Sequence, residues 1–276
     1  MAETELQILS DLHLESPQAY AIFHIEAKAP YLALVGDIGY VKDKDFFNFL
    51  RRQLNAFRVV FLVVGNHEPY HSNWFETKLK IKRFIMDSAP KSGEPLGQLG
   101  FLDKARYDIS STVSVLGCTL FSQVAHDQKE NVGFGINDFY HVDDWSLDAH
   151  QAAHRADLDW LNHEIDVISR LEPDRKVVVL THYFPLNNKE VVDPQNADSK
   201  ISSGFMTDLS GETCRKSGVV KLWAFGHTHT SIATLVNRIM LQDLFRTRGG
   251  TTFARRQALT ARKHIVSRKL RDDSFY

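Results

Sequence analysis

Cysteine is scarce: only Cys118 and Cys214 occur, far apart, in a chain of 276 residues. That excludes a disulfide framework and fits reduced thiols in a cytosolic protein. No cysteine spacing suggests a structural zinc site. No apolar run reaches the roughly 20 residues needed to span a bilayer. No basic stretch followed by an apolar one stands near Met1, so no ordinary secretory signal is expected, and the expected location is cytoplasmic. Charge of one sign is not in excess either, the formal net being -1. Three signatures are also missing: the strand–turn–helix motif of a serine or cysteine nucleophile, the phosphate loop with its lysine, and the glycine fingerprint of a dinucleotide fold.

What is present is a repeated pattern of polar groups following apolar runs. Glu5 to Leu9 reads as a first strand and ends in Ser10-Asp11-Leu12-His13. Asp11 and His13 are two apart, so in extended chain they point the same way and can hold one cation between them. The alternative is a helix cap by Asp11 beside an incidental histidine. Tyr31 to Val35 ends in Gly36-Asp37-Ile38-Gly39, on the bland reading a Gly-Asp turn. Val59 to Val64, rich in β-branched residues, reads as a strand covered on both faces and ends in Gly65-Asn66-His67-Glu68. Lys176 to Leu180 leads into Thr181-His182-Tyr183, and Val219 to Phe225 into Gly226-His227-Thr228-His229. Each group alone could be a cap or a core polar residue. Their shared position past the ends of apolar strands, where an open α/β sheet keeps its site, points to a common centre. Carboxylates and neutral imidazoles suit Zn, Mn, Fe or Ni. A two-metal centre can activate water and stabilise the oxygens of an in-line phosphoryl displacement.

Between these blocks the pattern alternates with helices. Pro17 to Ala29 reads as a short helix, Asp43 to Asn55 as an amphipathic one with Phe46, Phe49, Leu50 and Leu54 on its face, and Trp74 to Met86 as another. Ser88 to Gly100 reads as a loop, and Tyr107 to Ile109 with Val113 to Leu116 as a hairpin, so the sheets are expected to be mixed. Phe121 to Asp144 has no clean period and is expected to be a substrate-facing loop. Leu147 to Ile168 is the longest helical pattern, with Ala149, Ala152, Ala156, Leu158, Leu161, Ile165 and Ile168 as its stripe and His150, His154 and His163 as surface or packing residues. Asn187 to Ser203 reads as a lid-like excursion.

Asp11-Leu12-His13, Gly36-Asp37, Gly65-Asn66-His67-Glu68, His182 and Gly226-His227-Thr228-His229 together resemble the five blocks of the calcineurin-like metallophosphoesterases, in that family's order, over roughly residues 5–236. The resemblance implies a four-layer αββα sandwich with a dinuclear site at the strand ends. It implies that Asp11, His13 and His229 ligate one metal, that Asp37 bridges both, and that Asn66, His182 and His227 ligate the second. A bridging water or hydroxide attacks phosphorus in line in that family. His67 resembles the non-ligand histidine that faces the scissile phosphate as charge stabiliser or general acid. Glu68 is expected to orient His67 or a ligand from behind, with a loop salt bridge as the alternative.

The expected substrate is a small organic phosphoester, a phosphodiester before a monoester, because no arginine cluster stands near the blocks. Tyr70, His71, Asn137, Asp138, Tyr140 and Tyr183 are the candidate substrate contacts. The alternatives are a phosphomonoesterase, a nuclease, a hydrolase of non-phosphate esters and a non-catalytic protein-binding scaffold. The expected domains are a phosphoesterase domain over residues 1–245 and a basic extension over 246–276, helical or disordered. From Asn237 to Tyr276 there are ten Arg or Lys and three Asp, a net of +7, so the remainder carries -8. Ala254, Ala258, Ala261, Ile265 and Leu270 fall at helical spacing there. Nucleic-acid binding is not favoured, since a nuclease needs a wider basic surface with stacking aromatics. No motif sets an oligomeric state.

Overall fold

The computed structural model describes residues 4–88, 96–186 and 199–227, with the backbone of 233–234 and 266–270 in addition. The fully apolar run of β2 (Tyr31–Val35) shows how the layers arise. Tyr31, Ala33 and Val35 point to one core, while Leu32 and Leu34 point to another. A strand alternates its side chains between faces, so a continuous apolar run signals burial on both. β1 (Thr4–Leu9) and β3 (Val59–Val63) flank β2 in parallel, and β4 (Gln98–Phe101) extends the sheet beyond β3.

The second sheet repeats the arrangement. β5 (Ala105–Asp108) pairs antiparallel with β6 (Val113–Cys118), forming the expected hairpin. β7 (Lys176–Thr181) and β8 (Val220–Ala224) continue the sheet in parallel, and β9 (Ala233–Thr234) closes the edge antiparallel to β8. The two five-stranded sheets face each other across Val35, Phe61, Val63, Val115, Val178 and Leu222. α1 (Lys44–Ala56) covers the outside of the first sheet through Phe46, Phe49, Leu50 and Leu54. α2 (Trp74–Asp87) lies there too, capped by the Asn73 side chain, which accepts from the Glu76 N–H at 2.8 Å. Burial of each such large apolar side chain contributes about 1.5–3 kcal/mol. Helix, sheet, sheet and helix make the expected αββα sandwich with mixed sheets.

Several expectations are corrected. The 17–29 segment is not a helix but a run of turns and extended chain. It is held by side chains that outcompete a helical ladder: the Gln7 amide bonds Glu26 O and Lys28 N, and the Tyr20 hydroxyl accepts from Tyr40 N. Residues 98–100, expected to belong to the 88–100 loop, form most of β4. The 121–144 connection contains two short helices, α3 (Lys129–Gly135) and α4 (Asp138–His141). α5 (Leu147–Leu171) is helical as expected, but its buried stripe is His150, Gln151, His154, Asp157, Leu161, Ile165 and Ile168, with Ala152 and Ala156 exposed. The polar half of that stripe bonds the loop after β6. His154 Nδ1 donates to Leu120 O at 2.8 Å, the Asp157 carboxylate accepts from Leu120 N, and His150 Nε2 lies 2.9 Å from Ser122 Oγ.

Of the basic extension, only residues 266–270 are described. Residues 266–270 are neither helical nor disordered: they form β10 (Val266–Leu270), antiparallel to β1 with Thr4 opposite Leu270. The open edge of β1 offers unpaired backbone groups, and satisfying a full row of them outweighs local helical spacing. α6 (Thr213–Lys216) is a short helix before β8. Of the expected 187–203 excursion, residues 187–198 lie outside the described residues, as do residues 235–265.

Candidate metal centre

The parallel strands deliver their polar ends to one place. Past β1 and β2 the ladder continues as loop-to-loop bonds, Asp11 N to Gly36 O, His13 N to Asp37 O and Leu14 N to Ile38 O, each 3.0 Å. Asp11, His13 and Asp37 adopt left-handed backbone, with φ of 53°, 45° and 55°. Gly36 takes φ +91°, and a Cβ there would stand 2.2 Å from His182 Nδ1. At Gly65 a Cβ would stand 2.3 Å from Asp37 Oδ1. Both positions therefore need glycine for the strand ends to approach this closely.

Asp37 lies at the middle, 2% exposed. Its Oδ1 accepts from the His67 backbone N–H at 3.0 Å and lies 3.4 Å from His182 Nε2. Its Oδ2 lies 3.9 Å from both His13 Nε2 and His67 Nε2. Burial resists its charge, but His182, His67 and His13 outweigh that, so its pKa lies well below the usual carboxylate range. His182 is fully buried and donates through Nδ1 to Val35 O at 2.9 Å, leaving Nε2 toward Asp37 and toward Asn66 Oδ1 at 3.0 Å. Burial opposes the imidazolium there, yet Asp37 and then Asp11 raise its pKa to about 10. His227 joins from the end of β8, its N–H donating to Asp11 Oδ1 at 3.0 Å.

These donors form two overlapping groups that fit a pair of cations. Asp11, His13 and Asp37 bring ligand atoms within 4.8 Å of one another, and so do Asp37, His182 and His227. Asp37 belongs to both. Mixed carboxylate and imidazole donors of this kind suit first-row divalent or trivalent ions, and the orientation of His182 Nε2 is fixed by the bond at its other nitrogen. The clusters are those of a dinuclear metal-binding site. His229, the remaining expected ligand, lies outside the described residues.

Glu68 serves the backbone. Fully buried, its carboxylate accepts from the N–H groups of Gly65 at 2.7 Å, Ile38 at 2.8 Å and Asp37 at 3.1 Å, so it ties the loops after β2 and β3 together. Burial, helped by the nearby Asp37 charge, raises its pKa to about 7. It orients Asp37 through the main chain; it makes neither the loop salt bridge nor a bond to the His67 ring among the described residues.

Glu15 is a site residue that the sequence reading misses. Its Oε1 lies 3.2 Å from His13 Nδ1 and 3.3 Å from His67 Nδ1. Although burial opposes it, these bonds pull its pKa down to about 2. His67 is raised to about 9, with Asp37 and Glu15 overcoming desolvation. The signal is present in the alternation Asp11, His13, Glu15, each two apart. His67 keeps 27% of its side chain exposed and stacks on Tyr70, with ring centroids 4.4 Å apart.

The candidate substrate contacts divide by burial. Asp138 and Tyr183 are enclosed within the wall, at 2% and 0% exposure, and Tyr70 is buried as well. Their side chains lie within the wall and not on the exposed face where the expected substrate contacts would stand. The Asp138 carboxylate instead accepts from the Tyr70 hydroxyl at 2.6 Å, the Asn66 amide at 2.8 Å and the Tyr183 hydroxyl at 3.3 Å. His71, Asn137 and Tyr140 are exposed. The His71 ring lies 5.3 Å from both Tyr40 and His141 at the mouth beside His67. Among the described residues no helix is long and apolar enough to cross a membrane.

Known proteins resemble this chain at three levels. An uncharacterized protein of Acanthamoeba polyphaga mimivirus is 26% identical over 260 residues, covering 86% of this chain and 88% of its own. The crystal structure of a phosphopantetheinyl hydrolase from Mycobacterium tuberculosis matches with a TM-score of 0.57 and 14% identity over 83% of this chain and 84% of its own, which shows a shared fold. A putative 5'-nucleotidase from Staphylococcus aureus matches with a TM-score of 0.46 and 14% identity, over 84% of this chain and 46% of its own. The family model for calcineurin-like phosphoesterases matches residues 7–231, the span from β1 to the last expected histidine block, and the chain belongs to that family.

Proposed function

We propose that the protein hydrolyses a small organic phosphodiester with a pair of divalent or trivalent metal ions, Mn, Fe, Zn or Ni. The observation that carries this reading is the position of Asp37, shared between the Asp11–His13 group and the His182–His227 group. One carboxylate between two cations offsets their repulsion and sets their spacing. In this reading Asp11, His13 and His229 would hold one ion, Asn66, His182 and His227 the other, and Asp37 would be shared between them. Bound there, the ions supply an activated water for in-line attack and positive charge at the phosphoryl oxygens.

The chain supplies the rest. His67, with Nδ1 on Glu15 and Nε2 toward Asp37, holds a proton at the exposed side of the centre and delivers it to the leaving oxygen. Glu68 fixes the Asp37 backbone, so the shared carboxylate keeps its place through turnover. The described cationic side chains around Asp37 are histidines, which supports a monoanionic diester over a dianionic monoester. His71, whose ring lies 5.3 Å from the Tyr40 ring that stacks near His67, is an exposed residue placed to meet a substituent, with Tyr140 as the further exposed candidate. Both cysteines are buried and free, which supports a reducing, cytoplasmic setting.

The test compares bis(p-nitrophenyl) phosphate with p-nitrophenyl phosphate, using metal-stripped protein reconstituted with Mn and Asp37→Asn as control. A metal-dependent rate on the diester well above that on the monoester, lost in the control, supports the proposal. The reverse preference identifies a phosphomonoesterase. No turnover of either substrate with two metals bound overturns general phosphoester hydrolysis.

A further inference from the structure

We infer that Asp138 is a positioning residue that orients the amide ligand of one metal and anchors a ring beneath each of two site histidines. The inference rests on the metal-dependent reading above.

An amide can ligate a cation only through its oxygen, because its nitrogen offers no lone pair. Asn66 therefore has a right and a wrong orientation, alike in shape. The choice depends on what its NH2 group faces. That group faces Asp138 Oδ1 at 2.8 Å, an oxygen that also accepts from the Tyr70 hydroxyl, which turns Asn66 Oδ1 toward His182 Nε2 at 3.0 Å. Reversal would set two acceptor oxygens against each other in a buried place, a costly arrangement.

The same carboxylate receives two tyrosines. Tyr70 donates to Oδ1 and Tyr183 to Oδ2. Tyr70 lies four residues past Asn66, and its ring stacks against His67 at 4.4 Å and 19°. Tyr183 directly follows His182, and its ring lies 4.1 Å from that of His227. Asp138 thus joins the loop after β3, the segment after β7 and α4. None of these three contacts faces solvent, and all three partners bear on a proposed ligand or on the proposed acid.

The experiment is Mn titration of the metal-stripped full chain, read by the EPR signal of free Mn and by metal content after gel filtration. Melting temperatures serve as folding controls. Wild type should take up two Mn. Asp138→Ala should keep one and bind the second about 10–100-fold more weakly. Asp138→Asn retains an oxygen that can accept from Asn66 and should bind within a few-fold of wild type. Adding Asn66→Asp to Asp138→Ala should restore the second site, since a carboxylate has no wrong face. If Asp138→Ala does not fold, Asp138→Leu, with similar volume and no acceptor, replaces it in both comparisons. Two Mn bound with wild-type affinity by a folded Ala or Leu variant overturns the inference. So does failure of Asn66→Asp to rescue. A wild-type chain that binds no Mn sinks the metal reading itself, a separate outcome.

Discussion

Glu15 and His67 are joined by a 3.3 Å contact between Oε1 and Nδ1, and the same oxygen lies 3.2 Å from His13 Nδ1. One acidic side chain thus supports both an expected metal ligand and the proposed acid. Its pKa, pulled down to about 2, gives a definite sign. A depressed carboxylate adds stability above its unfolded value near 4.5, and that gain disappears as pH falls through about 2. Glu15→Gln should therefore destabilise the metal-free protein at pH 5–6 by about 1–3 kcal/mol, the difference shrinking toward pH 2. Urea melts across that range check it. A constant difference at every pH would show that packing, not charge, is responsible.

Metal uptake should compete with protons at His182. Its pKa of about 10 in the absence of metal means that Nε2 is protonated at neutral pH, whereas a ligating imidazole must be neutral there. Binding then releases that proton, and affinity should rise as pH goes from 6 to 8, by up to about tenfold per pH unit for each proton released. Calorimetry in buffers of different ionisation enthalpy counts the protons. A pH-independent affinity over this range would contradict the geometry around Asp37.

Gly65→Ala should abolish the centre while leaving the sheets intact. The added Cβ would stand 2.3 Å from Asp37 Oδ1 and 2.8 Å from His182 Cε1, so one of these ligands must leave its place. Expected is loss of stoichiometric Mn binding with unchanged far-UV circular dichroism. Two tightly bound ions in this variant would place the cations elsewhere.

Glu68→Ala leaves three buried N–H groups, those of Gly65, Asp37 and Ile38, without their acceptor. At about 1–3 kcal/mol for each unsatisfied group, partly recovered by entering water, the loss should reach about 3 kcal/mol or more. Thermal unfolding with and without metal measures it. A variant as stable as wild type would mean that the loops re-pair by themselves.

Much of this site is legible in the sequence because its ligands come directly after long apolar runs. Val59 to Val64 and Lys176 to Leu180 read as buried strands, which puts the polar residues next in the chain at a sheet end. Family membership is readable through the resemblance of those blocks to the calcineurin-like phosphoesterases, and the αββα sandwich is what that resemblance implies. Features that depend on remote partners are not legible. The 254–270 stretch carries apolar residues at helical spacing, yet its last five residues, 266–270, pair with the open edge of β1 as β10. His150, His154 and Asp157 lie inside α5 because the Leu120 and Ser122 loop meets them. Asp138 reads as a substrate contact because nothing in the local sequence says that two tyrosines and an amide will enclose it.

The positive φ angles at the strand ends have a dynamic consequence. Asp11, His13, Asp37 and His227 all hold left-handed backbone, a conformation that costs an ordinary residue about 1 kcal/mol or more. Four such positions in one place concentrate strain at the strand ends, which the proposed pair of ions would help to hold. Without them, the loops gain more by relaxing than the strands that carry them. Amide exchange should therefore quicken first at Asp11, Asp37 and His227, while the interiors of β1, β2 and β8 remain slow.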